Sequence, residues 1–442
     1  MKILLIQAWL GPSKEYPVYP LGLAYLATML EIHGHEPFVF DPNMADRPIE
    51  DIKRKIQACG PDAIGISLRN IDNQQRKDLF YYYKYFQKTL NAVDQVRKNA
   101  LVIVGGPGFS IFPGIIMQRN PSIDLGVHLE AEESLPELLS SLSKPSQIKG
   151  VYYRTSNRVK YTGPAKLPDF KSLPIPKRHF LDPRPYADID NQGVGIQTKR
   201  GCPLNCVYCV YPYLSGGFWR IRSPESVAEE IEYLRKDFDV RRIIFADSVV
   251  NLPYDFSRIL FELLKKQKNK TEWVGYMHVK GVTREYLNLC VESGCKALIF
   301  SPDALSSGAL KGLQKDISPE EIKELVNILK NQHLSLPVFY GLFINPPGET
   351  FSGLSKTLWF YLKHKISGKN RSVGINWIRV EPNSDIYKLA LNEGVLSPET
   401  DLLPHDPACL DYTFYSKPGL RLADPVLKLL FRIIAYTKKS NT

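Results

Sequence analysis

The sequence predicts an α/β protein: a doubly wound parallel sheet at the N-terminus, a partial parallel barrel of about six βα units after it, and a small helical region at the C-terminus. Three observations predict this. Over residues 1–145, short apolar runs of strand length alternate with runs of helical period, as repeated βα units require. Over 146–192 the alternation gives way to a segment carrying Pro164, Pro168, Pro174, Pro176, Pro183 and Pro185, which reads as a linker. From 193 to 392 the alternation resumes, and residues 393–442 form a C-terminal extension. A chain of 442 residues is also too long for one ordinary core.

In the first domain Lys2–Ala8 reads as a buried strand, too short and too abruptly ended at Gly11-Pro12 for a signal peptide. A helix follows over 20–30, then strands at 37–41, 63–68, 101–104 and 125–128, with a helix over 49–58 and a Glu-rich helix start at Glu130–Glu133. Parallel sheets of this kind bind ligands beyond the carboxyl ends of their strands. The end of the third strand at Ser67 and the Gly105-Gly106 pair after the fourth allow close backbone approach. A tight βα turn would require glycine there as well.

The barrel region opens with a strand over 194–200. Ser223-Pro224-Glu225-Ser226 caps a helix, and strands follow at 241–248, 273–279, 296–300, 337–343 and 374–379. Such barrels place their sites at the C-terminal ends of the strands. Here those ends carry Asp247, Ser301-Pro302-Asp303 and Ile344-Asn345-Pro346-Pro347-Gly348. Asp424-Pro425 starts an amphipathic basic helix over 424–436. It reads either as a helix packed on the barrel or, less favoured, as a membrane-surface helix.

The loop leaving the first barrel strand is Gly201-Cys202-Pro203-Leu204-Asn205-Cys206-Val207-Tyr208-Cys209, which holds three of the seven cysteines in C-x3-C-x2-C spacing. Such thiolates can converge on one soft metal centre. Three are too few for a closed zinc site, which takes four ligands. Three suit a four-iron cluster with one iron left open. Cys59, Cys290, Cys295 and Cys409 are scattered, which speaks for a reducing cytosol rather than a secreted disulfide framework.

With the Gln197-Thr198-Lys199-Arg200 run before it, this loop resembles the signature of the radical S-adenosylmethionine (SAM) enzymes. Gly-Leu-Phe-Ile-Asn-Pro-Pro-Gly-Glu-Thr at 341–350 and Pro-Asn-Ser-Asp-Ile-Tyr at 382–387 resemble that family's late barrel motifs. Pro20-Leu21-Gly22-Leu23-Ala24, Gly65-Ile66-Ser67, Gly105-Gly106-Pro107 and Glu130-Ala131-Glu132-Glu133 resemble the cobalamin-binding domain that precedes many radical SAM cores. The resemblance implies a [4Fe-4S] cluster on Cys202, Cys206 and Cys209, with SAM on its open iron and cobalamin at Ser67, Gly105, Gly106 and Glu130. It implies that Asp247 meets the methionine amino group and Asp303, with Ser301 beside it, the ribose hydroxyls or amino group. Ile344 would support the adenine, and Lys280 or Arg379 the carboxylate. The alternative reading of either aspartate is a cap on the following helix. No catalytic residue beyond the cluster is assigned. Asp41–Asp46 lacks the Asp-x-His-x-x-Gly of many cobalamin domains, so no cobalt-ligating His is expected from that loop.

The implied reaction is reductive cleavage of SAM to a 5′-deoxyadenosyl radical, with cobalamin carrying a methyl group to an unactivated carbon of a small metabolite, lipid or peptide. A cobalamin-dependent cyclase or rearrangement enzyme is the second reading, and a non-catalytic carrier or sensor the third. Tyr208, Tyr211, Tyr213 and Trp219 either line the cavity or fill the barrel core. A flavodoxin- or ferredoxin-like electron donor, a cytoplasmic location and a monomer are expected. The net charge of +11 is dispersed and carries no nucleic-acid module, so no nucleic-acid partner is expected. No apolar run approaches the length of a membrane span.

Overall fold

The computed structural model describes residues 1–12, 17–156, 158–187, 193–268, 270–331, 336–367 and 370–439. The chain forms two compact units that do not follow chain order. The first contains Met1–Asn73, Tyr81–Cys202 and Leu214–Asp247; the second contains Gln74–Phe80, Pro203–Tyr213 and Ser248–Thr442. The boundaries at 145 and 192 mark changes of composition rather than edges of these units.

In the first unit the elements run β1 (Lys2–Gln7), α1 (Leu21–Ile32), β2 (Glu36–Phe40), α2 (Pro48–Cys59), β3 (Ala63–Ser67), α3 (Tyr83–Asp94), β4 (Leu101–Gly105), α4 (Pro107–Ile111), α5 (Pro113–Arg119), β5 (Leu125–Val127) and α6 (Ser134–Ser140). The strands pair in parallel in the order β2-β1-β3-β4-β5. The order reverses between β1 and β3, which is the switch point where doubly wound sheets take their ligand. Ile3, Leu5, Ala63 and Ile103 of the strands pack with Leu23, Ala27 and Leu30 of α1 in one core cluster. The predicted Glu-rich helix start lies too early. α6 begins at Ser134, because Glu130 and Glu132 are drawn into ion pairs described below.

The linker segment holds regular structure that its prolines conceal. β6 (Val151–Thr155) and β7 (Arg158–Tyr161) form an antiparallel hairpin that extends the sheet beyond β5. All six prolines named above lie after β7, so strand alternation over 151–161 is undisturbed. The part of the linker at 188–192 lies outside the described residues. α7 (Arg184–Ala187), β8 (Val194–Ile196) and β9 (Lys199–Arg200) follow.

The six parallel strands of a partial (β/α)6 barrel are β8, β11 (Arg242–Phe245), β12 (Glu272–Met277), β13 (Cys295–Asp303), β14 (Val338–Phe343) and β15 (Arg371–Asn376). In the first unit β8 pairs with β11. In the second, β12, β13, β14 and β15 pair in that order. Between β9 and β11 come α8 (Tyr211–Ser215), β10 (Arg220–Ile221) and α9 (Pro224–Phe238). The later helices are α10 (Tyr254–Lys266), α11 (Arg284–Glu292), α12 (Ser307–Gly312), α13 (Pro319–Asn331) and α14 (Phe351–Ser367). Helix starts follow their caps. Ser226 N–H donates to Ser223 Oγ at 3.1 Å, and Ser318 and Glu321 bond each other reciprocally in a capping box.

β16 (Ile378–Arg379), α15 (Asp385–Asn392), β17 (Phe414–Tyr415) and α16 (Asp424–Lys439) complete the chain. α16 is a packed helix: Leu427 and Phe431 are buried in a cluster with Trp377 and Tyr361. Each such side chain contributes about 1.5–3 kcal/mol when fully buried, enough to hold the helix. The side chains from 432 onward lie outside the described residues. Asp424 does not act as the expected cap. Its carboxylate accepts from Arg76, Asn345, Ser416 and Trp377 in the interior of the second unit. Among the described residues no helix is long and apolar enough to cross a membrane.

Candidate functional site

The cysteine loop begins in the first unit. Gly201 adopts φ +82°, and a Cβ there would run into the carbonyl oxygens of Phe218 and, at 2.8 Å, Ser215. Only glycine fits both the left-handed backbone and this approach. The turn delivers Cys202, whose N–H donates to Gly216 O at 3.0 Å and which is buried. Gly201→Ala is therefore expected to displace Cys202 and lower the iron bound per chain after anaerobic reconstitution to well under half of wild type. Wild-type iron content in that variant would contradict the reading.

Cys206 and Cys209 lie in the second unit, half-buried. Cys209 N–H donates to Cys206 O at 3.0 Å, and Tyr211 N–H reaches Cys209 Sγ at 3.4 Å. Val207 is fastened on both sides: its N–H donates to Leu313 O at 3.2 Å, and its carbonyl accepts from Ile386 N–H at 2.7 Å. Tyr208 packs edge-on against Phe343 at 4.8 Å between ring centroids, so this aromatic is a packed residue. Among the described residues no group of three or more His, Cys, Asp or Glu side chains is gathered into a ready-made metal site. What fits an iron–sulfur cluster is the donor set: three thiols outside any disulfide on one short loop, one of them accepting a backbone N–H.

Asp247, at the end of β11, is fully buried. It accepts from Thr198 N–H at 2.8 Å, Thr198 Oγ1 at 2.6 Å and Lys199 Nζ at 3.3 Å. Burial lowers the Lys199 pKa, against the opposing pull of Asp247 and Cys202. Asp247 thus ties down the strand that leads into the cysteine loop. The next residue, Ser248, has a buried hydroxyl with no hydrogen-bond partner among the described residues. Such a group costs about 1–3 kcal/mol unless something bonds it, so it suits a polar ligand at this strand end.

Asp303 occupies an irregularity in β13 with φ +67°. Its Oδ2 accepts from Tyr208 OH at 2.5 Å and pairs with Lys315 Nζ at 2.7 Å. Lys315 also donates to Ser301 O at 3.0 Å. Ile344 is a core residue whose N–H is bound to Asn376 O. The two candidate carboxylate binders are engaged elsewhere: Lys280 pairs with Asp316 at 2.5 Å, and Arg379 donates to the carbonyls of Val380 and Leu402.

In the first unit Ser67 lies at the switch point, its carbonyl accepting from Ala8 N–H at 2.9 Å. Gly106 has φ +94°, and a Cβ on it would meet Leu68 O at 2.8 Å and Ser67 Oγ at 2.9 Å. The turn itself thus demands glycine, while Ser67, Gly105 and Gly106 leave the ends of β3 and β4 bare of bulky side chains. That suits a broad macrocycle. No histidine stands in 41–46, and the Asp41 carboxylate accepts from Tyr186 OH and Asn43 N–H. Glu130 lies elsewhere in the chemistry: Arg200 pairs with it at 2.8 Å, Arg220 pairs with it as well, and Arg200 also meets Glu132 at 2.6 Å. Burial would lower the Arg200 pKa, but the two carboxylates outweigh it and raise it.

Sequence reading missed His278 at the end of β12. Its N–H donates to Asn251 Oδ1 at 2.7 Å, its carbonyl accepts from Asn251 Nδ2, and Nδ1 accepts from Lys280 N–H at 3.2 Å. The ring proton therefore sits on Nε2. Burial, with Lys315 and Lys280 nearby, lowers its pKa to about 4. In the unfolded chain it titrates near ~6.5. Its contribution to stability is thus whole above that pH and is lost as pH falls toward about 4. His278→Gln is expected to remove up to about 3 kcal/mol of this acid destabilisation, seen as a flatter fall of Tm between those limits. Parallel curves for variant and wild type would refute it.

A partial barrel with a three-cysteine loop, joined to a doubly wound domain with a bare switch point, defines a class of cofactor-dependent α/β enzymes. The chain belongs to the radical SAM enzymes with an N-terminal B12-binding domain. The Radical SAM superfamily model matches residues 196–358, and the B12 binding domain model matches 11–139. These two domains make its cofactors a [4Fe-4S] cluster, SAM and cobalamin. An uncharacterized methyltransferase of Pyrococcus horikoshii is 28% identical over 85% of this chain and 79% of its own length. An anaerobic magnesium-protoporphyrin IX monomethyl ester cyclase of Rubrivivax gelatinosus is 26% identical over 71% of this chain and 56% of its own. The radical SAM methyltransferase TsrM from Kitasatospora setae, solved with tryptophan substrate and a SAM analog, superposes with a TM-score of 0.76. It is 19% identical and covers 97% of this chain and 88% of that one.

Proposed function

We propose that this enzyme transfers a methyl group from SAM, by way of cobalamin, to an unactivated carbon of a small metabolite, lipid or peptide. The observation that carries this reading is the pairing of a B12-binding domain with a radical SAM domain in one chain similar, over most of its length, to the uncharacterized methyltransferase of Pyrococcus horikoshii. The tryptophan bound in TsrM favours a small molecule among the three substrate classes. When bound, the cluster supplies the electron that cleaves SAM, and cobalamin supplies a carrier for the methyl group.

In this reading Cys202, Cys206 and Cys209 hold the cluster. Ser248, Ser301 and Asp303 of the second unit meet SAM, with Ile344 supporting them from the core; in the first unit Asp247 acts through Thr198 and Lys199. Ser67, Gly105 and Gly106 would hold cobalamin at the ends of β3 and β4, and Glu130 orients Arg200 just ahead of the cysteine loop. A low-potential flavodoxin- or ferredoxin-like protein delivers the electron.

A second reading is a cyclase or rearrangement enzyme, favoured by the similarity to the Rubrivivax cyclase. SAM labelled in its methyl group separates the two. The anaerobically reconstituted enzyme, with cobalamin, a strong reductant and host-cell extract, is expected to yield a labelled metabolite together with S-adenosylhomocysteine and 5′-deoxyadenosine. Deoxyadenosine without S-adenosylhomocysteine or labelled product would reject methyl transfer.

A further inference from the structure

From Tyr208, the residue between Cys206 and Cys209 in the chain, the second unit holds a chain of three side chains, two of them buried. Tyr208 OH donates to Asp303 at 2.5 Å, and the same carboxylate oxygen pairs with Lys315 at 2.7 Å. The Lys315 and Asp303 side chains are each 6% exposed. The left-handed backbone at Asp303 is one a non-glycine residue rarely takes, and the bonds to Tyr208 and Lys315 hold it. Lys315 follows α12 and is anchored at its far end by Ser301 O. Its ammonium is one shared carboxylate oxygen away from Tyr208, which lies between Cys206 and Cys209 in the chain, and Asp303 and the two thiols outweigh the effect of burial on its charge.

With metal bound, both cysteines are thiolates. Beside the cluster's own ions, the protein's charges in this unit are then two thiolates and the Asp303 carboxylate against one buried ammonium. Reduction adds one electron at this place and breaks no bond. A fixed cation here favours that electron, and a fixed carboxylate opposes it, both weakly screened. We propose that Lys315 and Asp303 are positioning residues that set the reduction potential of the cluster, in opposite directions. This rests on the reading in which Cys206 and Cys209 hold the cluster, and it assigns Lys315 a role that no motif in the sequence marks.

The test is a redox titration of the full-length, anaerobically reconstituted chain, without SAM, followed by the electron paramagnetic resonance of the reduced cluster. Titanium(III) citrate serves as the one-electron donor, and iron and sulfide are counted in each sample. Lys315→Met is expected to lower the midpoint potential, so that the reduced-to-oxidised ratio at the wild-type midpoint falls about tenfold. Asp303→Asn is expected to raise the midpoint. Lys315→Arg should stay near wild type, and the double variant should lie between the single ones. A loosened loop would move both single variants the same way. Midpoints that shift together, or do not shift at all, with wild-type iron content would overturn the proposal. If Lys315→Met takes up no cluster, Lys315→Gln and Asp303→Asn decide it by the same signs. Wild-type chain that binds no cluster would instead overturn the function from which this inference starts.

Discussion

Alanine at Cys202, Cys206 or Cys209 is expected to reduce formation of 5′-deoxyadenosine from SAM to the level of cluster-free protein. The effect is total because a four-iron cluster on three thiolates has no spare protein ligand, and each thiolate is a covalent bond rather than one contact among many. No neighbouring cysteine stands ready as a substitute. Cys290 and Cys295 are buried, and burial raises the pKa of each. Cys409 is exposed and remote in sequence. Cys409→Ala is the matched control and should keep full cluster content and cleavage. Liquid chromatography of deoxyadenosine, together with iron analysis, reads both. A loop variant that retains its iron and its activity would remove the cluster from this loop.

The second large effect concerns folding. Glu230 in α9 is fully buried, accepts from Arg178 at 2.5 Å and also pairs with Arg222. Arg178 comes from the proline-bearing segment and donates to Gly195 O in β8 at 3.1 Å. Its guanidinium lies 4.9 Å from the Tyr19 ring centroid. Burial works to lower the Arg178 pKa, and Glu230 reverses the sign and raises it. Glu230→Gln leaves two buried guanidinium groups without a counter-charge. Breaking a buried pair in this way costs about 3–5 kcal/mol. For a unit of this size that is a fall of roughly 6–20 °C in Tm. The companion Arg178→Met change should recover part of it, since only the Arg222 guanidinium then remains without its Glu230 counter-charge. A Glu230→Gln variant that melts within a degree or two of wild type would show that the network carries no such weight.

The two halves of this contrast explain what the sequence could reveal. The cysteine loop stood out because its three thiols fall within eight residues, a spacing with few other uses. The strands of both α/β regions were legible because each is a short apolar run between helical periods. Arg178 and Glu230 are 52 positions apart and carry no local pattern, so their pairing exists only after folding. Lys315 escaped for the same reason: it is one lysine among many in a basic chain, and only β13 and the cysteine loop give it meaning. The hairpin at 151–161 was hidden differently, by prolines that belong to the residues after it. Asp247 and Asp303 were found as strand-end carboxylates. Their partners, Thr198 with Lys199 and Tyr208 with Lys315, could not be read without the fold.

The interleaving of the two units along the chain bears on biosynthesis and on laboratory shuffling. A ribosome completes the first unit only on reaching Asp247, well after it has begun the barrel, while Gln74–Phe80 emerges early and must wait for the second unit. Segments that usually fold one after another during translation are here obliged to mature together. A B12-binding cassette excised at residue 145 or 192 would leave behind α9 and β11, and would carry away a peptide that belongs to the other body. Homologous recombination between relatives should therefore tolerate crossovers poorly anywhere between Asn73 and Ser248. Swapping the whole stretch up to Asp247 would still take Gln74–Phe80 and Pro203–Tyr213, with Cys206 and Cys209, away from the remainder of the second unit.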